Sequence, residues 1–462
     1  MKTFVANEIT IVDPSPELIK WCEKNLILPN PDFSKKSRMG LWLGGTPKYL
    51  TLFKQTYDSI IVPYGALTEI HPYIKEGQIV SKFATPEIID YCAEVPLRDY
   101  QKVALEEMVR CRGGILQSKA GSGKTQIGIA LAIALKRKTL WITHTKDLLT
   151  QSKQRAEQFI NPDLIGTITE GKVNIGKGIT FATVQTLANL NLGLYRDIWD
   201  CVIVDECHRV AGSTTTVTQF SKVLEMLAAR YKYGLSATVH RADGLIKTTY
   251  FLIGQLKYTV PDEVIGDYVM SVMVNPVYTP IKIDRECLNT DGTLNYTKLI
   301  SYLCSSKERN ELIVSDLITN YFYSNLILSD RIEHLKTLIS MLPKTIQSQC
   351  VFIDGSMTSK KGKAQREKAL DDMRNGKKRY LFATYKLAKE GLDIPRLDRL
   401  FLTTPQKDYA VITQSVGRIA RTFEGKETPV CYDYVDDIYY LIKSYKQRIT
   451  TYKKCNCQFI NK

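Results

Sequence analysis

Two stretches of this sequence carry residue types that together suit phosphate chemistry. The first, Ser118-Lys119-Ala120-Gly121-Ser122-Gly123-Lys124-Thr125, follows the apolar run Ile115-Leu116-Gln117 and precedes a segment rich in Ile, Ala and Leu. Glycines let the backbone curl until successive N–H groups face one anion-sized concavity, and a helix starting there adds the positive end of its dipole. The turn Gly121-Ser122-Gly123 would cradle a nucleotide, with Lys124 reaching the β- and γ-phosphates and the Thr125 hydroxyl ligating Mg²⁺. The strict pattern has glycine where Ser118 stands. The second stretch, Asp200 to His208, is an apolar strand ending in two acids. At the carboxyl end of a parallel strand Asp205 would join the Mg²⁺ shell, and Glu206 would orient and deprotonate an attacking water. His208 is placed to report the state of the γ-phosphate. An isolated Asp-Glu at a strand end is more often a solvated turn. Standing 81 residues after Lys124 in a matching topology, this pair reads as catalytic.

Such residues need a scaffold that gathers strand ends. From Leu97 to about Val260, apolar runs at 115–117, 139–143, 179–183, 202–205 and 233–237 alternate with helical segments, which indicates a parallel sheet covered on both faces. The alternation resumes from Glu308 to about Ser444, with helices expected over 308–322, 331–341 and 361–374. The expected fold class is therefore α/β, with two tandem parallel-sheet domains at 93–260 and 306–450. A small α+β unit at 1–92 precedes them, where Ser15-Pro16-Glu17 signals a helix start. Residues 261–305, with Pro261, Pro276 and Pro280, read as a linker leading into the second domain, and 451–462 as a frayed basic tail. Trp42, beside the basic loop of Lys35, Lys36 and Arg38, reads as a core tryptophan next to a solvated loop, with duplex or junction contact as the alternative.

Composition narrows the partners. The 462 residues include 63 Lys plus Arg against 48 Asp plus Glu, a net charge of +15, in an otherwise ordinary globular chain. That excess suits a polyanion as well as it suits a solubilising surface. No apolar run approaches the roughly 20 residues of a membrane span. The N-terminus lacks the basic-then-apolar pattern of a secretory signal. Eleven scattered cysteines read as reduced thiols of a cytoplasmic protein, and with five histidines a structural zinc site is not expected.

Further motifs make the pattern specific. Arg98-Asp99-Tyr100-Gln101 stands about twenty residues before the glycine turn, and Asp205-Glu206-Cys207-His208 forms a DExH box. Gly234-Leu235-Ser236-Ala237-Thr238 is followed by Arg241-Ala242-Asp243-Gly244. Ala388 to Pro395 (AKEGLDIP) and Gln414 to Arg421 (QSVGRIAR) come next in order. Together they resemble the motif set of superfamily 2 DExH-box helicases over residues 97–421, and are similar to the XPB and phage UvsW-like branch-migration helicases. His144 replaces the usual proline of motif Ia, and Val239 the proline that often follows Ser-Ala-Thr.

The resemblance implies two RecA-like motor domains, ATP and Mg²⁺ as cofactors, and a nucleic-acid-dependent ATPase. It makes Arg98 and Gln101 adenine-side residues and adds Gly391 and Asp393 to the nucleotide site. His208, Ser236, Thr238 and Gln414 become coupling residues. Arg418 and Arg421, three apart on one helix, become charges that reach the γ-phosphate from the second domain, where an arginine finger is worth about 10³ to 10⁵ in rate. Thr143, Lys146, Thr183, Ser329 and Thr384 are the implied backbone contacts, and Lys360-Lys361-Gly362-Lys363 and Lys377-Lys378-Arg379 either widen that footprint or are solvated helix edges. The expected activity is a DNA helicase or branch-migration translocase in replication, recombination or repair, bound to single-stranded, forked or branched DNA and associated with replication or recombination proteins. An RNA helicase, the motor subunit of a restriction or defence complex, and a basic scaffold using ATP only as a switch are the alternatives.

Overall fold

A computed structural model of the chain describes residues 2–74, 79–119, 121–169, 171–211, 214–239, 245–265, 269–355, 357, 359–389 and 392–460. They form two compact units, one of Met1–Lys119 with Gly123–Asp262 and one built on Glu263–Lys462. Among the described residues no helix is long and apolar enough to cross a membrane.

Among the described residues the first unit contains two large sheets and a two-stranded one that pairs Ile27–Pro29 with Tyr49–Thr51. The N-terminal one orders its strands Lys54–Gln55, Ser59–Pro63, Glu8–Val12, Lys2–Val5 and Ile79–Ser81. Glu8–Val12 alternates buried Ile9 and Ile11 with half-buried neighbours, the period of a sheet with one covered face. The cover is the helix Pro16–Asn25, started by Ser15, whose hydroxyl accepts from Leu18 N–H at 3.2 Å. Phe251 of the following sheet's flank joins this core. The joint between the two sheets is polar as well. Lys232, fully buried, donates to the carbonyls of Leu224 (2.9 Å) and Asn7 (3.3 Å), and its ammonium lies 5.3 Å from the Tyr64 ring. Burial pushes that ammonium down to about 8, against the pull of Glu225 and Glu8.

The eight-stranded sheet runs Lys172–Asn174, Ile165–Thr169, Ile179–Thr183, Thr139–Thr143, Cys201–Asp205, Tyr231–Ser236, Gly114–Gln117 and Leu256–Thr259. All pairs except 165–169 with 172–174 are parallel. Three strands, 139–143, 179–183 and 201–205, are buried at every position, as unbroken apolar runs in a two-faced parallel sheet require.

The second unit repeats the scheme with strands Cys350–Ile353, Tyr380–Thr384, Asn325–Ser329, Arg399–Leu402, Val430–Asp436, Met273–Thr279 and Gln458–Phe459, all parallel. Two sequence readings are corrected here. Residues 273–279, read as linker, form a strand. Its prolines hid it, yet pairing with 458–459 reaches only Met273 and Val274, so Pro276 has an open edge on that side. Residues 451–460 are not frayed: the helix Tyr439–Lys454 carries buried Tyr452, whose hydroxyl donates to Asp433 at 2.7 Å, and the chain then adds the edge strand. Trp42 is corrected too. It is 86% exposed on the loop after the helix Pro31–Arg38, not in a core.

Two fully buried carboxylates fasten helices to the second sheet. Asp436 accepts from Arg309 Nε at 2.7 Å and Nη2 at 3.3 Å and from Thr279 at 2.7 Å, while Arg309 Nη1 reaches the Thr403 carbonyl at 2.7 Å. Asp433 holds Arg448 through two bonds of 2.8 Å. Removing one member of such a pair strands the other charge. Arg309→Met is therefore expected to lower unfolding free energy by about 3–5 kcal/mol, read from denaturant midpoints.

Candidate active site

The glycine turn sits between the 114–117 strand and the helix Lys124–Leu135. Gly121 (φ +86°) and Gly123 (φ +79°) both occupy the left-handed region, which admits glycine without strain. At Gly123 space also decides, since a β-carbon would come within 2.5 Å of Gln101 Nε2. Gln101, buried on the helix Asp99–Cys111, uses its Oε1 to accept from Arg98 N–H at 2.9 Å, so the two residues expected on the adenine side close their own helix start. Lys124 is buried at the first helical position and its Nζ donates to the Lys119 carbonyl at 3.3 Å. Ser122 is buried and Thr125 half-buried.

The acids stand at the carboxyl end of the 201–205 strand. Asp205 accepts from Glu206 N–H at 3.0 Å and from Ser152 Oγ at 3.4 Å; nothing in the sequence pattern marked Ser152. Burial first and the neighbouring Glu206 second push the Asp205 carboxyl well up, with Lys124 pulling it partly back. Burial works the same way on Glu206, but Lys124 and then His208 and Arg209 outweigh it and hold that carboxyl low. Glu206 adopts φ +48°, a conformation costly for a side chain with a β-carbon, which turns its carboxylate off the strand direction.

His208 lies between two acceptors, with Nδ1 3.0 Å from Ser236 Oγ and 3.2 Å from Glu206 Oε2. Ser236 Oγ donates to the Thr238 carbonyl at 2.6 Å and accepts from Thr238 N–H at 3.0 Å. Its proton being committed, the serine can only accept from the ring, so the network assigns the imidazole proton to Nδ1. Glu206 Oε2, at 3.2 Å, faces the same Nδ1–H and shares it with Ser236. The DExH box and the Ser-Ala-Thr motif, predicted to be coupled, are thus joined through one imidazole. Arg241 to Gly244 lie outside the described residues.

Two adjacent buried carboxylates, one pushed toward its protonated form, make a site that a divalent cation fits. Asp205 and Thr125 would hold Mg²⁺, which would neutralise phosphate charge there.

The implied nucleic-acid contacts fall into matched pairs. Thr143 pairs with Thr183 at the carboxyl ends of neighbouring strands, and Ser329 with Thr384 in the second unit. Three are engaged locally: Thr143 donates to the Thr145 carbonyl (3.1 Å), Thr183 caps the helix Val184–Ala188, and Ser329 bonds His334 Nδ1 (3.1 Å) and accepts from Arg331 N–H (3.1 Å). Lys146 is exposed and Thr384 half-buried. Lys377-Lys378-Arg379 precede the 380–384 strand and so lie at the opposite edge of the sheet from Ser329 and Thr384.

In the second unit, Arg418 donates to the carbonyls of Ala388 (3.2 Å) and Leu392 (3.1 Å), and Arg421 pairs with Asp393. Gln414 is buried with no partner for its Oε1. Gly391 lies outside the described residues.

Residues 94–241 match the family of the type III restriction enzyme res subunit, and 308–423 the helicase conserved C-terminal domain. The chain carries the two motor domains of a superfamily 2 helicase. A putative ATP-dependent RNA helicase of Acanthamoeba polyphaga mimivirus is 28% identical over 353 residues, 74% of this chain and 64% of that protein, so the chain spans under two thirds of that relative's length. The DNA 3′-5′ translocase XPB2 of Sulfurisphaera tokodaii is 24% identical over 383 residues, 75% of this chain and 82% of its own, which bears out the XPB resemblance. Among solved structures, Saccharomyces cerevisiae Dbp5 bound to RNA and ADP BeF3 covers 86% of this chain with 93% of its own, at TM-score 0.55 and 16% identity. That likeness speaks to the RecA-like fold alone.

Gly123→Ala is expected to weaken binding of a non-hydrolysable nucleotide at least about tenfold by calorimetry, since strain and the Gln101 clash add. Gly171→Ala is the control: it has φ +77° with nothing within 4 Å of the new methyl, and binding should not change. A second expectation concerns His334, whose Nε2 lies 2.9 Å from Asn310 Oδ1. Burial, helped by Arg309, takes this ring from 6.5 down to about 3. Between those values the unfolded chain binds a proton that the folded chain refuses, so stability is full above about pH 6.5 and falls as pH falls. Urea midpoints should drop from pH 7 to 5, and His334→Gln should flatten that drop.

Proposed function

We propose that the chain is an ATP-driven DNA translocase that unwinds or branch-migrates DNA in replication, recombination or repair. The observation that carries the reading is the Glu206 carboxylate at the end of the 201–205 strand, held low by Lys124 and 3.2 Å from His208 Nδ1. A carboxylate in that condition can accept the proton of a water attacking the γ-phosphate. Lys124 and the backbone of the glycine turn would hold the phosphates, and Asp205 with Thr125 the Mg²⁺. When Glu206 gains a proton its attraction for His208 falls, and the ring passes that change to Ser236 and Thr238.

Arg418 and Arg421 are proposed to stabilise the charge of the transferred phosphoryl group. Their recruitment competes with the partners they already have at Ala388, Leu392 and Asp393. DNA is favoured as the track by the archaeal translocase, which this chain covers for 82% of its length. RNA is the second reading, favoured by the name of the mimivirus relative.

Steady-state ATP hydrolysis tests both. Wild type should be stimulated by single-stranded DNA and most by a four-way junction, and Glu206→Gln should lower kcat by at least about 10²-fold with nucleotide binding intact. Stimulation by RNA alone would establish the second reading instead. No turnover with any nucleic acid would sink the motor.

A further inference from the structure

The helix Pro31–Arg38 and the loop to Tyr49 form the most exposed apolar feature of the first unit. The helix has no buried residue, and Trp42 stands beside exposed Met39 and Leu41. Leaving an indole in water forfeits the gain that burying an aromatic brings, so the position needs an occupant. The loop is fastened rather than slack. Leu41 N–H donates to the Lys36 carbonyl (2.9 Å), Thr46 N–H to Leu43 (2.8 Å), Asn30 Nδ2 to Pro47 (2.7 Å), and Lys36 Nζ to Thr46 Oγ1 (2.8 Å). One face of the indole lies on Gly44, where a β-carbon would come within 1.9 Å of the ring, which leaves the other face open.

The surroundings say what the occupant is. Residues 31–49 hold Lys35, Lys36, Arg38 and Lys48 against the single carboxylate Asp32. Among the described residues Lys35 and Arg38 make no ion pair, and a cavity of about 420 Å³ between the helix and the loop is walled by Lys35, Lys36, Asp32 and Leu41, with Trp42 and Arg38 outside its wall. An exposed aromatic face on a short segment with four cations and one carboxylate matches an unpaired base with its flanking phosphates.

We propose that Trp42 is a stacking platform for an unpaired base of single-stranded DNA, with Lys35 and Arg38 holding the adjacent phosphates. The choice of DNA rests on the proposed translocase activity. The test uses the full chain without ATP. Trp141 and Trp199 are buried and Trp21 is half-buried, so emission that responds to added oligo(dT) reports Trp42. Quenching in wild type should vanish in Trp42→Phe. Trp42→Ala should weaken binding of labelled oligo(dT) about five- to hundredfold, with basal hydrolysis unchanged. Replacing Lys35 and Arg38 by glutamine should reduce the slope of log K against log salt by about 1.4. An unchanged quench in Trp42→Phe, or unchanged affinity in Trp42→Ala, overturns the platform. A response to oligo(U) and not oligo(dT) overturns the choice of DNA, and no response to either leaves a protein as occupant and overturns the proposal. Because emission is read without ATP, DNA-stimulated hydrolysis with a silent Trp42 defeats the platform alone. A quench without stimulated hydrolysis defeats the translocase reading alone.

Discussion

A single imidazole proton ties the chemistry of the first unit together. His208 Nδ1–H has two acceptors in range, and the direction of the Ser236 hydroxyl places the proton between them. Everything around it follows from that placement. Glu206 and Ser236 both face the ring, Ser236 and Thr238 close a small ring of bonds, and two adjacent strands, 201–205 and 231–236, are joined at their ends by a group whose strength depends on charge. The parallel sheet makes this possible, because it brings the carboxyl ends of neighbouring strands side by side.

The same constraint acts twice. Each unit ends two neighbouring strands in hydroxyl residues at matched register, Thr143 with Thr183 and Ser329 with Thr384. In both units such hydroxyls organise the turn that follows, as Thr143, Thr183 and Ser329 do. The second unit adds a different device. Asp433 and Asp436, three residues apart on one strand, each hold an arginine from a different helix. The helices Lys307–Thr319 and Tyr439–Lys454 are thereby pinned to the sheet.

The alternation of apolar runs and helices was legible because fully buried strands admit no polar interruption, as in 139–143 and 201–205. The glycine turn and the DExH box were legible because φ > 0 and paired acids demand particular residue types. Proline obscured the 273–279 strand, since its tolerance depends on where the sheet edge falls, a property of distant residues 458–459. The tail misled because its lysines outnumber the few apolar residues, yet Tyr452 alone reaches a buried carboxylate. Trp42 misled for the opposite reason, as composition predicts burial and only the fold shows what has nothing above it. Ser152 and the Arg309–Asp436 pair had no local signal, since each meets a partner far along the chain.

Lys232 lies four residues upstream of Ser236 on the same strand, and its ammonium is clasped by a carbonyl of the N-terminal sheet. The small sheet is therefore bolted to the strand that ends at Ser236, by a buried cation whose release would cost full desolvation. A change that breaks this clasp would leave an ammonium or a carbonyl buried without its partner, so one side chain holds the two sheets to a single arrangement.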